Sequence, residues 1–322
     1  MGTRSAIEVI GRKNRIAQRE ALVSSGIDFI SEFSYILKIV PPAERNKYME
    51  KVLHSIFFFG GINVLPVKPE EFLPSEMVTA FKKNYPKPFQ EYNTHLPTQT
   101  PYSIVLEMVE KYSGSIDVLE RLRTWNNRVN GKIINNFVST VVSYCWPQGG
   151  RCYYGASLSC FGLMEAKTMI AISCFKTWHP AIGWVVSTCQ RQKANLKFSP
   201  GVHSTAVRMK FRSTANDKLL PPCFKCHSMF QNVVYEPKYS SDDTEDQNEP
   251  PWSHGNCAES ESFSKLLNAD STVSSDTKAH IGGTLQAIEN ITLETDPLEK
   301  QIRNIGARQF KLPRNSSLKF FS

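Results

Sequence analysis

The chain has 322 residues, 38 Lys and Arg against 30 Asp and Glu, a formal net charge of +8 and 41% hydrophobic residues. This composition excludes a disordered or fibrous chain and leaves room for two domains, each with its own core. No apolar run approaches the roughly 18 residues of a membrane-spanning helix, and no apolar segment follows the basic N-terminal residues as a secretory signal requires.

The first 140 residues read as helical. Ser5 to Ser24 contains no Pro, and Asp28 to Val40 continues with apolar residues at helical spacing, ending before Pro41-Pro42. Pro42 to Phe59 opens with a proline, closes at Gly60-Gly61 and has an apolar face with Tyr48, Val52, Ile56 and Phe59. Ser75–Lys83, Tyr102–Tyr112 and Ser115–Val129 are further helix candidates, and 133–144 is ambiguous between helix and strand.

Beyond 141 the period changes. Arg151–Cys160, Lys167–Thr177 and Ala181–Cys189 read as β-rich runs, and Val207 to Arg212 alternates as a half-exposed strand does. Cys223–Phe230 and Cys257–Asn268 are helix candidates around a short strand at Val233–Tyr235. The expected fold class is α+β: a helical N-terminal region over 1–140, then an antiparallel or mixed sheet over 141–270 with a zinc-stabilised C-terminal part. A disordered acidic loop is expected at 239–251 and a polar, partly disordered tail at 271–322.

Charge is unevenly placed. Residues 141–220 hold ten basic side chains and two acidic ones, Glu165 and Asp217. Period two puts Arg208, Lys210 and Arg212 on one strand face. With Lys193 and Lys197 they form a candidate surface for an anionic partner, nucleic acid or an acidic protein. Against that stands a plain solvated face.

The eight cysteines, in a chain without a secretory signal, are expected as thiols in a cytoplasmic protein with access to the nucleus. Five of them, Cys145, Cys152, Cys160, Cys174 and Cys189, lie on apolar runs and read as core. The other three belong to a pattern: Cys223-x2-Cys226, then His254-x2-Cys257. Two such pairs present four ligands to one tetrahedral zinc ion. Cys223, Cys226, His254 and Cys257 would close the site and make it structural; three ligands plus water would make it catalytic. No G-x-x-x-x-G-K-S/T and no G-x-G-x-x-G occurs, so neither phosphate-loop motif has support.

Pro222-Cys223-Phe224-Lys225-Cys226 and Cys257-Ala258-Glu259 resemble the P-C-x-x-C and C-A-E halves of the cytidine-deaminase-like superfamily. The resemblance implies that Cys223, Cys226 and Cys257 hold zinc and that Glu259 is the catalytic general acid and base. The superfamily carries the two halves in the opposite order along the chain. Ser173 to Pro180 and His254-Gly255-Asn256-Cys257-Ala258-Glu259 resemble a virus-induced, interferon-stimulated family of bony fish, which implies an intracellular antiviral role. The expected function is therefore a zinc-binding interaction or effector protein of innate antiviral type. The alternative is a deaminase-like zinc hydrolase acting on a nucleobase or related amidine.

Overall fold

Proline at the first helical position, where the missing N–H costs nothing, opens three of the first six helices. These are α1 (Gly2–Ile36), α2 (Pro42–Ile62), α3 (Ser75–Asn84), α4 (Pro86–Glu91), α5 (Pro101–Tyr112) and α6 (Val118–Val129). In this computed structural model residues 2–114, 117–130, 135–160, 162–209, 218–240, 251–309 and 317–322 are described. The chain forms two compact units: Met1–Val138 with Ser159–Glu165 and Arg303–Ser322, and Ser139–Leu158 with Ala166–Ile302.

The first unit is helical, as the sequence predicts, and α1 runs unbroken from Gly2 to Ile36. Thr100 caps α5 by accepting from the Ser103 N–H, and Asp117 caps α6 by accepting from Leu119 and Glu120. The core is aromatic: Phe29 stands edge-on to Trp125 at 5.1 Å and to Phe137 at 6.2 Å. Residues 319–321 are tied to Leu96 by backbone hydrogen bonds, and Phe321 stacks on buried His54 at 4.0 Å.

The second unit holds two sheets. One has the order β2-β1-β4-β5, built from β1 (Val141–Pro147), β2 (Tyr153–Ala156), β4 (Val202–Arg208) and β5 (Lys218–Leu220). Strand β7 (Val234–Tyr235) joins β4 in parallel, beside Val234↔His203 and Tyr235↔Ser204. The other sheet has the order β6-β3-β8-β9, with β3 (Ala194–Lys197), β6 (Phe230–Gln231), β8 (Lys278–Ile281) and β9 (Thr284–Ala287). It mixes one parallel pair, β3 with β6, and two antiparallel pairs. The helices are α7 (Leu163–Ile172), α8 (Pro180–Cys189), α9 (Phe224–Met229), α10 (Ala258–Ala269), α11 (Ser271–Asp276) and α12 (Thr295–Gln309).

Two expectations are corrected. Lys167–Thr177 is the end of α7 followed by a π-helical turn, Ser173–Thr177, and Ala181–Cys189 is α8; neither is a strand. Met169–Cys174 and Ala181–Val186 are buried on every side, so their apolar runs carry no period that separates helix from strand. His179 settles α8 locally: its Nδ1 accepts from the Ala181 N–H at 3.2 Å, and Pro180 follows at the first helical position. Beyond 270 the described residues form α11, β8, β9 and α12, with β8 paired along the whole of β3. The acidic loop expected at 239–251 falls mainly on 241–250, outside the described residues.

Candidate metal centre

Two helix starts form the site. Cys223 is the residue before α9 and Cys257 the residue before α10, both with extended backbone, and Cys226 lies in the first turn of α9. The sulfur atoms of Cys223, Cys226 and Cys257 all lie within 4.8 Å of one another, and Cys223 and Cys257 are 3.5 Å apart. Tetrahedral zinc with Zn–S bonds of about 2.3 Å would set neighbouring sulfurs about 3.8 Å apart, so the three thiols are spaced to share one metal ion. Cys226 is fully buried; Cys223 and Cys257 are half-buried.

The surroundings favour negative charge on the Cys223 sulfur and oppose it on Cys226 and Cys257. The thiols of Cys226 and Cys257 and the backbone N–H groups of Cys226 and Lys225 donate toward Cys223 and hold its pKa well below the usual thiol value. The Cys226 pKa is raised by the Cys223 sulfur beside it, by Cys257 and by burial. Cys257 accepts from the Trp252 indole N–H at 3.2 Å. Glu259, two residues into the helix start, is 4% exposed. Burial, then the charge of Cys223, pushes its carboxyl up to about 7.

Helix α10 is fixed against the sheet by contacts that motif reading does not find. Its backbone lies on Gly155 of β2, where a Cβ would come closer than 3.0 Å to Ala258 O and Ser262 N. The Glu261 carboxylate accepts from the Ala156 N–H at 3.1 Å, and the Ser262 and Ser143 hydroxyls are 2.8 Å apart. Gly155, Ser143, Glu261 and Ser262 thus place the start of α10. Nothing in their local sequence marks them, because each acts through a partner about 100 residues away.

His254, the expected fourth ligand, is not in the sulfur cluster. Gly255 beside it is buried at φ +87°, with Val186, Ile170 and Trp178 filling the space where a side chain would stand. With its neighbour anchored there, His254 lines a separate pocket with Lys167, Lys193, Phe224 and His280.

The basic residues also divide. Lys193 precedes β3 and Lys197 ends it, both exposed, whereas Arg208 is exposed at the end of β4 in the other sheet. Lys210 and Arg212 lie outside the described residues. Of the five cysteines read as core, Cys145 and Cys174 are buried and Cys152, Cys160 and Cys189 are half-buried. Among the described residues no helix is long and apolar enough to cross a membrane. No protein-family model, curated protein or solved structure matches the chain.

Proposed function

We propose that Cys223, Cys226 and Cys257 bind zinc as an open, catalytic site and that the second unit is a deaminase-like hydrolase. Its reaction would replace the amino group of an amidine carbon by oxygen from water, releasing ammonia. The observation that carries this reading is a buried carboxyl, Glu259, beside a cluster of three thiols that His254 does not complete. A structural zinc site is closed by four protein ligands, whereas a catalytic one keeps a position for water.

When bound, zinc supplies Lewis acidity that activates water at neutral pH. The chain's own residues do the rest. The thiols and N–H groups around Cys223 stabilise its thiolate, while Cys226 and Cys257, raised by that neighbouring sulfur and by burial, would give up their protons to the metal on binding. Glu259, held near neutrality in its pKa, can take a proton at a carboxylate oxygen and return it to the leaving nitrogen. The contacts of α10 with Gly155, Ala156 and Ser143 keep that carboxyl beside the sulfurs. The reversed order of the two halves is no obstacle, since both helix starts reach one cluster.

The test uses the purified full chain. Metal analysis should find one zinc per molecule, lost in C223S. Ammonia release from a panel of cytosine-like amidines should vanish in E259Q while zinc stays bound. Zinc retained in C223S, or turnover undiminished in E259Q, would overturn the reading. Full zinc occupancy with no turnover on any panel member would make the site structural.

A further inference from the structure

The second unit has a pocket of about 1150 Å³ whose lining includes Lys167, Arg191, Lys193, His254 and His280 and contains no aspartate or glutamate. The sulfur cluster does not line it, so this pocket stands apart from the metal reading. Lys167 and Lys193 are exposed at its wall. Arg191 pairs with Glu294 at 2.8 Å, with both side chains more than half exposed. Such a pair contributes little and yields readily to a ligand anion.

Two further features narrow the ligand. Phe224 lines the same pocket and is 48% exposed, a flat apolar face where burial would be the rule. Gly282 and Gly283, in the turn between β8 and β9, also line it; a Cβ on either would have nothing within 4 Å. The wall there is bare backbone with open space in front, which lets a ligand approach the peptide groups closely. Small-ligand sites occupy about 300–1,000 Å³, so the pocket has room for a molecule of nucleotide size and some water.

We infer that this pocket binds a mononucleotide, with phosphate groups on Lys167 and Lys193 and a flat heterocycle against Phe224. Cations without a competing carboxylate favour phosphate over a neutral ligand. An exposed aromatic face adds stacking that inorganic phosphate cannot use.

Calorimetric titration of the full chain at low salt tests this with adenosine and uridine 5′-triphosphates, inorganic tripolyphosphate, adenosine and a short single-stranded oligonucleotide. Zinc content is measured in every variant. The nucleoside triphosphates should bind more tightly than tripolyphosphate, and adenosine weakest. K193E and K167E should each weaken the triphosphates by about tenfold or more, the loss of one charge-assisted contact. F224A should weaken nucleotides and leave tripolyphosphate unchanged. No binding by any triphosphate, or equal binding by wild type, K193E and K167E, would overturn the proposal. Binding of the oligonucleotide alone would also overturn it, in favour of a strand-binding surface.

Discussion

Replacing Gly155 by Ala tests whether the position of α10 controls the metal centre. The added methyl would sit closer than 3.0 Å to Ala258 O and Ser262 N and 3.0 Å from Glu261 Cβ, where ordinary contact begins at 3.4 Å. Two of these are backbone atoms of one helix, so no rotamer change relieves them. Strand β2 is paired with β1 along its whole length, so the helix must yield, by roughly 1 Å in a close-packed interior. Overpacking of this kind costs about 1–3 kcal/mol, a fall of several degrees in Tm for a unit of this size. The displaced segment begins at Cys257, whose sulfur lies 3.5 Å from that of Cys223. Disturbing the support of a metal ligand typically weakens affinity about 10- to 100-fold. The assay is competition with a zinc chelator, together with thermal unfolding of the zinc-free and zinc-loaded chain. G61A is the control, because its methyl would meet only Tyr92 carbons at 3.5 Å. G155A with wild-type melting and wild-type zinc affinity would refute the claim that this contact places the site.

Two further predictions concern groups buried without solvent. His54 is fully buried, stacked on Phe321 and within 3.4 Å of the Glu91 carbonyl. Burial, with His95 nearby, pulls its pKa down to about 3. The unfolded chain takes up this proton near pH 6.5 and the folded one only near 3, so protonation favours unfolding. Stability should fall by about 1.4 kcal/mol per pH step through that window, about 3 kcal/mol by about pH 4.5, with no effect above 6.5. Urea unfolding across this range should be flatter in H54F, and equal pH slopes would contradict the burial argument. The hydroxyls of Ser143 and Ser262, both fully buried, are 2.8 Å apart. S262A should cost about 1–3 kcal/mol by stranding the Ser143 hydroxyl, S143A less because Ser262 still donates to the Glu259 carbonyl at 3.2 Å, and the double variant less than the sum of the two. Strict additivity in a double-mutant cycle would count against the bond.

The parts of the fold legible in the sequence are those set by local rules. Pro42 opens α2, which ends at Ile62 just past the glycines at 60–61, and Cys223 and Cys257, the residues before α9 and α10, are where a reader would start those helices. The failures come from tertiary context. Ala181–Val186 looks like a buried strand because a helix packed on all sides shows no polar face; Gly183 within it is needed for close approach to the Cys174 carbonyl. Strand β8 hides in a polar tail because three of its four side chains are only half-buried. Of the expected basic residues, Lys197 and Arg208 are close in sequence but lie on strands of different sheets, while Lys210 and Arg212 lie outside the described residues.

Of the candidate site, the three clustered thiols were legible in the sequence and the position of His254 was not. Spacing alone brings Cys223 and Cys226 together, since one turn of helix follows the first of them. Whether His254 joins them depends on Gly255, whose burial against Val186 and Ile170 no spacing rule contains. Motif order does not by itself bar three thiols from meeting, for a physical reason. A site assembled from two helix starts depends on where the starts meet and not on which comes first in the chain. The 30 residues between Cys226 and Cys257 affect only loop closure, and each doubling of a loop costs about 0.6 kcal/mol. The burial of Glu259 is the better discriminator. An ionised carboxylate taken out of water is costly, and a helix that needed only a favourable first-turn charge would keep it at the surface. Placing it instead beside the sulfurs, where the charge of Cys223 raises its pKa further, is understandable if a metal ion offsets that charge and the proton is to be moved.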